Sequence, residues 1–357
     1  MITPASIPEL ADAVRSEPRV LAVGAQTKPR LSAVEAVRIS MSRLRGIVEY
    51  DPGEFTFTAL AGTPVREIAA ALAERGQYLP FDPMLVDAGS TLGGTVASGL
   101  SGPGRFRFGG LRDFILGIRF VDGAGRVLRM GGKVVKNAAG FDLPKFFAGS
   151  LGRFGVLAEM TFKVFPRPAS SLTIRFAAET PEAVLRLLTG AASSRFEFEA
   201  LDVPPRESGV LARLAGPASA LNALAREALA RWPGEILSEG DSKNAWDELN
   251  EFRWADPDAP LVKLAVSPAS VTELQLAVQS LDGARMHVSG GGNVAYVALA
   301  NAKQADEFDK QLRKQGLSGL ALRGSVPLWT GARVRPAIAG AVKLALDAEN
   351  RFPSLDD

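Results

Sequence analysis

Two glycine-rich stretches, residues 89–110 and 137–155, constrain this 357-residue chain more than any other feature. The first lies in the run Asp-Ala-Gly-Ser-Thr-Leu-Gly-Gly-Thr-Val-Ala-Ser-Gly-Leu-Ser-Gly-Pro-Gly, residues 87–104. Because glycine has no Cβ and adopts positive φ without strain, such stretches bring main-chain N–H groups close to a bulky anion. They therefore predict a large, negatively charged ligand.

Composition narrows the possible partners and sites. The 41 basic residues nearly balance the 39 acidic ones, and a net charge of +2 gives no large basic field, so we expect no nucleic-acid partner. The chain has no cysteine, which excludes disulfides, thiolate-held iron–sulfur or zinc sites and a cysteinyl–flavin link within it. Its single histidine, His287, cannot build a multi-histidine metal site, and no metal site is predicted.

The first ten residues lack the charged-then-apolar pattern of a secretory signal. No apolar run approaches the length that spans a bilayer, so no transmembrane segment is expected. The expected location is the cytoplasm, with peripheral association to the inner membrane through a complex left open.

The sequence pattern predicts two domains that meet near residues 167–171. Before this boundary, apolar strands alternate with glycine-rich turns, and one helix is expected to follow Thr63 as its cap and Pro64 in its first turn. Beyond it, strand-like and helical segments alternate, including a strand over residues 196–201 and a hairpin over residues 286–299. This order is typical of an α+β domain with an antiparallel sheet.

Four ordered blocks resemble a known family. They are TLGGTVASG at residues 91–99, GGLRDFILG at 109–117, KNAAGFDL at 136–143 and GSLGRFGVL at 149–157. Together they resemble the FAD-binding domain of the vanillyl-alcohol oxidase type flavoproteins (FAD-linked oxidases). Within that family they resemble the FAD-binding E subunits of bacterial glycolate oxidases, as do RGIVEYDP at residues 45–52 and SGLSGP at 98–103. The likeness is strong over residues 1–168 and weak beyond them.

The resemblance implies an α+β fold of two domains. Residues 1–168 would form a vanillyl-alcohol oxidase type FAD-binding domain, and residues 169–357 an α+β cap domain with an antiparallel sheet for substrate or subunit interaction. The C-terminal helix is a candidate to return to the FAD-binding domain. The implied cofactor is noncovalent FAD, and the implied cofactor-binding residues are Gly24, Ala25, Gln26, Thr27 and Lys28 at the pyrophosphate; Gly89, Ser90, Thr91, Leu92, Gly93, Gly94, Ala97, Ser98, Gly99 and Gly102 along pyrophosphate, ribityl chain and isoalloxazine; and Gly155 and Val156 at adenine.

The resemblance also implies a function. The chain would be an FAD-dependent oxidoreductase subunit of a glycolate oxidase-like complex, in which its FAD relays or supports electron transfer. A companion catalytic flavoprotein subunit would oxidise a small 2-hydroxy acid, and an iron–sulfur subunit would carry the electrons away. Two alternatives stay open: a stand-alone FAD-dependent oxidase or dehydrogenase of a small hydroxy acid, and a noncatalytic scaffold that has lost its flavin site.

Several side chains have both a functional and an ordinary interpretation. His287 precedes the turn at residues 290–292 and is either a proton acceptor or a structural hairpin residue. Three aromatic residues either anchor an interface or pack in the core. They are Trp246, Phe252 and Trp254. Four basic residues either attract anionic groups or form ordinary salt bridges. They are Arg105, Arg107, Arg112 and Lys136.

Overall fold

A computed structural model of the protein describes residues 1–132, 142–205, 209–333 and 337–357. Its α-helices are α1 (Ile7–Ser16), α2 (Val65–Ala73), α3 (Leu92–Ser98), α4 (Arg105–Phe108), α5 (Leu143–Phe146), α6 (Pro181–Ala192), α7 (Ala218–Arg231), α8 (Glu239–Asn250), α9 (Pro268–Gln279), α10 (Ala305–Lys314) and α11 (Ala337–Leu346). Its strands are β1 (Val20–Val23), β2 (Val37–Ser40), β3 (Ile47–Asp51), β4 (Thr56–Leu60), β5 (Gln77–Tyr78), β6 (Ile115–Val121), β7 (Val127–Gly131), β8 (Val156–Lys163), β9 (Phe165–Pro166), β10 (Ser170–Phe176), β11 (Ala200–Asp202), β12 (Val210–Gly216), β13 (Gly234–Ile236), β14 (Leu261–Ala265), β15 (Arg285–Ser289), β16 (Val294–Ala298), β17 (Ser318–Arg323) and β18 (Trp329–Gly331).

The chain divides into two compact units. Unit 1 comprises Met1–Ser101, Gly110–Arg167 and Val334–Asp357, and unit 2 comprises Gly102–Gly109 and Pro168–Arg333. The functional roles that the sequence assigned to the two domains stay predictions.

Unit 1 is built on a five-stranded antiparallel sheet in the order β3-β4-β8-β6-β7, beside a parallel pair of β1 and β2. Strand β8 is central and mostly buried, which fits its apolar sequence VLAEMTFK. The rings of Phe57 on β4 and Phe162 on β8 stack with their centroids 5.8 Å apart. One buried polar pair, Thr58 and Thr161, is joined by a hydroxyl hydrogen bond of 2.8 Å, so neither hydroxyl is left unsatisfied.

Helix α2 begins differently from its prediction. Pro64, not Thr63, occupies the N-cap position and has no side-chain cap. The Thr63 hydroxyl donates instead to the carbonyl oxygens of Leu60 and Gly46 at 2.7 and 3.1 Å. Thr63 therefore ties the turn before α2 to the loop before β3, and the hydroxyl is used in tertiary contacts that sequence alone does not show.

Unit 2 contains two antiparallel sheets, ordered β11-β12-β10-β13 and β15-β16-β14-β17-β18. Inward-facing residues of both sheets join residues of helices α6, α7, α9 and α10 in one apolar core. The predicted hairpin is present as β15 and β16. The strand predicted from residue 196 begins only at Ala200, because Phe198 N–H donates to Phe196 O at 2.9 Å in a tight turn.

The described residues show neither a membrane-spanning helix nor a cluster of metal-binding side chains. Across the described ranges, no helix is long and apolar enough to cross a membrane. Nor do the described side chains include a group of three or more His, Cys, Asp or Glu placed to hold a metal ion.

Candidate functional site

A cleft in unit 1 gathers most of the glycine-rich segments that the sequence singled out. Its volume is about 100 Å³, smaller than the usual pocket for a complete ligand of drug size, so it has room for a small molecule or for one section of a longer one. The lining residues are Leu21, Ala22, Val23, Gly24, Ala25, Gln26, Thr27, Lys28, Leu31, Ser32, Met41, Ala61, Thr91, Gly93, Gly94, Ala97, Ser98, Ser150, Leu151, Gly152, Gly155 and Leu157.

The first wall is the turn that follows β1. Gly24 lies against Thr91 of the second wall, and a Cβ added to Gly24 would stand 2.3 Å from Thr91 Oγ1. Gln26 has a φ of 54°, a left-handed conformation that non-glycine residues seldom adopt outside constrained sites. The turn therefore has a backbone conformation that non-glycine residues disfavour.

The second wall is helix α3 with its N-cap. Thr91 Oγ1 accepts a hydrogen bond from Gly94 N–H at 3.3 Å, which begins the helix. Gly93 N–H donates to Ala61 O at 2.8 Å, and a Cβ on Gly93 would lie 2.9 Å from Ala61 Cβ. The absence of a side chain at Gly93 thus lets α3 pack directly on the end of β4.

The third wall comprises Ser150, Leu151, Gly152 and Gly155. Leu151 also has a left-handed φ of 54°, and its N–H donates to Ala97 O at 2.8 Å. Behind it lies the guanidinium of Arg153, which is buried and donates to Leu151 O at 2.8 Å and Leu31 O at 3.2 Å. Burial lowers the pKa of Arg153 to about 10, which still leaves it charged at neutral pH. Arg153 therefore clamps the third wall to the segment that follows the first.

Lys28 gives the cleft its charge. Only 9% of the residue is exposed, and burial lowers the pKa of its ammonium to about 8. Its Nζ donates to Thr27 Oγ1 at 2.9 Å, and among the described side chains no carboxylate forms an ion pair with it. A buried ammonium without a counter-ion is destabilising unless a ligand supplies the negative charge.

The cleft brings together most, but not all, of the predicted cofactor-binding residues. Those that line it are Gly24, Ala25, Gln26, Thr27, Lys28, Thr91, Gly93, Gly94, Ala97, Ser98 and Gly155. Those that do not line it are Gly89, Ser90, Leu92, Gly99 and Val156, also in unit 1, and Gly102, which belongs to unit 2. Some of the latter have supporting contacts: Ser90 Oγ donates to Met84 O at 3.1 Å, and Leu92 N–H donates to Thr63 O at 2.9 Å.

Sequence reasoning missed part of the lining. Ser150, Leu151 and Gly152 fall inside the block at residues 149–157, of which only Gly155 and Val156 were assigned to the ligand. Their position in a recognised glycine-containing block was the available signal. Met41, which comes from a segment without glycine, gave no such signal.

The other candidates lie outside the cleft. Arg107 forms a 2.8 Å salt bridge with Glu197 in unit 2, as its ordinary interpretation expected. Arg112 is exposed, Arg105 is half-buried in α4, and Lys136 with most of its block lies outside the described residues. The structure favours core packing for three aromatic residues, because Trp246, Phe252 and Trp254 are 6%, 2% and 0% exposed.

His287 lies in unit 2 on β15 and is fully buried. Its Nε2 is 2.7 Å from Asp202 Oδ2, and its ring stacks on Tyr296 with centroids 5.6 Å apart. Its predicted role as a base stays a prediction.

Residues 1–131 match the family model described as an FAD binding domain. The predicted resemblance is confirmed by the glycolate oxidase subunit GlcE of Escherichia coli, 52% identical over 131 residues, which are 37% of this chain and 37% of that protein. The glycolate oxidase subunit GlcD of Bacillus subtilis is 29% identical over 44% of this chain and 34% of its own length. The matched region spans about a third of the length of these curated relatives.

Solved structures extend the likeness to nearly the whole fold. A structure of alkyldihydroxyacetonephosphate synthase superposes with a TM-score of 0.70 over 98% of this chain and 75% of that one, at 16% sequence identity. This comparison, with the observed helices and antiparallel sheets, confirms the predicted two-domain α+β fold class.

Proposed function

We propose that the cleft of unit 1 binds the pyrophosphate section of a noncovalently held FAD. The observation that carries this proposal is Lys28, a buried ammonium without a carboxylate partner among the described residues, at the meeting point of three backbone walls. Two phosphates would supply the missing negative charge, and the main-chain N–H groups of the glycine-rich walls would approach their oxygens.

The remaining lining residues have matching roles in the proposal. The hydroxyl of Thr27, which accepts from Lys28 Nζ, would donate its own hydrogen to a phosphate oxygen. Gly155 and Leu157 would contact the adenosine end, and Ala97 and Ser98 the ribityl side. The six predicted residues outside the cleft, Gly89, Ser90, Leu92, Gly99, Gly102 and Val156, keep their assignment only as a proposal, because a cleft of about 100 Å³ covers only part of FAD.

The function follows from the cofactor and the relatives. We infer that the chain is an FAD-dependent oxidoreductase subunit of a glycolate oxidase-like complex. A companion flavoprotein subunit would oxidise a small 2-hydroxy acid, and an iron–sulfur subunit would receive the electrons. Bound flavin supplies reversible acceptance and release of electrons, and this chain would hold it in a relaying or supporting role. Support comes from GlcE and GlcD, whose names both describe subunits of a glycolate oxidase. The complex would work in the cytoplasm or against the inner membrane.

One observation favours a second candidate, a stand-alone oxidoreductase of a small hydroxy acid. A D-lactate dehydrogenase of Anaerostipes hadrus is 29% identical over 39% of this chain and 29% of its own length. The buried His287–Asp202 pair offers such an enzyme a proton acceptor. Bleaching of the flavin by glycolate or D-lactate in the isolated chain would favour this candidate over the relay subunit.

The test of the first proposal is a titration of the purified chain with FAD, followed by absorption and by quenching of flavin fluorescence. We expect saturable binding at one site, weakened about 10- to 100-fold in Lys28→Met, because a charge-assisted hydrogen bond is lost. Lys310→Met, at an exposed lysine of α10, is the matched control and should bind as the unchanged protein does. Equal affinity of Lys28→Met and the control would overturn the assignment of the pyrophosphate to this cleft.

A further inference from the structure

Unit 2 contains the same order of elements twice. The first half is β10-α6-β11-β12-α7-β13 and the second is β14-α9-β15-β16-α10-β17. Their sheets have the matching orders β11-β12-β10-β13 and β15-β16-β14-β17, with β18 added to the second. The halves meet where Val203, just after β11, and Val288 of β15 exchange two N–H···O hydrogen bonds of 2.7 and 3.1 Å. Helix α6 of the first half packs against α9 of the second, so the junction has both a sheet side and a helix side.

A cavity of about 280 Å³ lies at this junction. Its lining comes from the start of α6 and the loop before it, the residues that follow β11, the end of α9 and the start of β15. All of these residues belong to unit 2. The volume is near the lower end of the range for small-molecule pockets, so the cavity has room for one small ligand.

The main-chain groups of Met286 point into the cavity. Val288 uses its N–H and C=O for Val203, and along an antiparallel strand these groups alternate between the two sides. Those of Met286, two residues earlier, therefore point to the same side as those of Val288, away from β16. Pro204 and Pro205 follow Val203 on that side, and proline has no N–H to donate. No described main-chain group bonds to Met286 there, so one N–H and one C=O of a sheet edge are open to the cavity.

Two opposite charges line the same cavity. Glu179 lies in the loop before α6, and Arg285 is the first residue of β15. Among the described residues neither side chain forms a salt bridge, so the two do not neutralise each other across the cavity. Arg285 Nη1 donates to Trp254 O at 3.0 Å, which orients the guanidinium without compensating its charge. A ligand with one positive and one negative group would complement this pair.

The remaining wall is apolar. Val184 of α6, Val203 and Val278 of α9 line the cavity, and each is at least nine-tenths buried. They belong to the core that both halves of unit 2 share. An apolar group placed against them would be removed from water, which is favourable.

We propose that this cavity binds a free α-amino acid with an apolar side chain. The ligand ammonium donates to Met286 O and lies near Glu179, and the ligand carboxylate accepts from Met286 N–H and faces Arg285. The side chain covers the valine wall. A peptide segment offers the same main-chain groups but lacks both charges, so the unpaired Glu179 and Arg285 favour the free amino acid. The site does not depend on FAD, because all of its residues belong to unit 2.

The distribution of methionine makes the test specific. Of the six methionines, only Met286 belongs to unit 2. In the full chain labelled with ¹⁵N-methionine, Met286→Leu identifies the Met286 amide signal by its loss, and the amide signals from unit 1 are the internal control. We expect L-leucine to shift the Met286 signal saturably and to leave the unit 1 signals in place. A Met286 signal that L-leucine does not move would overturn the proposal.

Three analogues of leucine test the proposed chemistry. In 2-hydroxy-4-methylpentanoate a hydroxyl replaces the ammonium, and leucinamide lacks the carboxylate. Each should require about three- to tenfold higher concentration than L-leucine, because one charged partner is lost. N-acetyl-leucine methylamide, which has neither charge, should bind more weakly than both. If the hydroxy acid or the capped compound binds as tightly as L-leucine, the assignment to a free amino acid is wrong.

A matched pair of variants separates the role of Glu179 from a general effect of charge. Glu179→Gln should weaken L-leucine binding at least about threefold and remove its advantage over the hydroxy acid. Glu182→Gln changes an exposed carboxylate of the same helix start that does not line the cavity, and it should leave both affinities unchanged. Equal effects of the two variants would contradict the contact between the ammonium and Glu179.

Discussion

Gly24 lies so close to Thr91 that no side chain fits between them, since a Cβ on Gly24 would stand 2.3 Å from Thr91 Oγ1. This contact joins the first wall of the cleft to the cap of α3. It explains why glycine is required at residue 24, where φ is not the constraint.

We therefore expect Gly24→Ala to reduce FAD affinity at least tenfold, because the turn must move away from α3 or displace the cap hydroxyl. Flavin fluorescence titration measures the change. The double variant Gly24→Ala with Thr91→Ala removes the obstructing atoms and should recover part of the loss, beyond the sum of the single effects. Gly340→Ala, on exposed α11 where a Cβ meets nothing within 4 Å, is the control. Unchanged affinity in Gly24→Ala would contradict the contact.

Lys28 is expected to destabilise the ligand-free protein. Its pKa is about 8 when folded and about 10.5 when unfolded, so between these values the unfolded chain holds more protons. Its contribution to the free energy of unfolding therefore rises with pH across this window and is constant below it. At pH 7, Lys28→Met should be the more stable protein by on the order of 3 kcal/mol. Urea unfolding at several pH values tests this, and a difference between the two proteins that stays constant from pH 7 to 10 would refute it.

Binding of FAD should make the charged form of Lys28 favourable instead of destabilising. Phosphates beside Lys28 raise its pKa, so above pH 8 the protein takes up a proton as FAD binds, and below pH 8 it does not. FAD affinity is then flat from pH 6.5 to 7.5 and falls by up to about tenfold per pH unit above 8. Lys28→Met should lack this fall. The same slope in both proteins would show that another group titrates.

Lys343 joins α11 to the rear of the cleft. Its Nζ donates to Arg153 O at 2.9 Å and Phe352 O at 3.0 Å, and forms an ion pair with buried Asp347. We expect Lys343→Met to lower the free energy of unfolding by about 3 kcal/mol, because Asp347 is left as a buried charge without its cation. Thermal and urea unfolding measure the loss. Lys343→Met with Asp347→Leu should be less destabilised than Lys343→Met alone; a double variant at least as unstable would argue against the unpaired charge.

Sequence could predict which residues come together where close backbone approach requires glycine, while their contact with the cofactor stays a prediction. Gly24, Gly93 and Gly94 line the cleft as expected, since close backbone approach demands a missing Cβ. Leu151 could not be predicted in the same way. Its left-handed backbone contradicts the preference of leucine, and its hydrogen bonds with Ala97 and Arg153 hold it in that conformation.

Tertiary contacts also explain why two predictions of secondary structure were wrong. Thr63 has the residue type of a helix cap, yet its hydroxyl bonds to Leu60 and Gly46. The aromatic run at residues 196–201 has the composition of a strand, yet a turn at Phe198 delays pairing until Ala200. The Asp202–His287 pair joins residues 85 positions apart, and no local sequence pattern predicts it.

Unit 1 is built from separate stretches of the chain, and this affects when its contacts can form during synthesis. The guanidinium of Arg153 that braces the third wall also donates to Asp357 O at 2.8 Å, a residue 204 positions later. The ribosome adds that residue only after all of unit 2 has been translated, and domains tend to fold as they emerge from the ribosome. A nascent chain therefore lacks this one contact of Arg153 throughout translation of unit 2, while the contacts of Arg153 with Leu31 and Leu151 are already available.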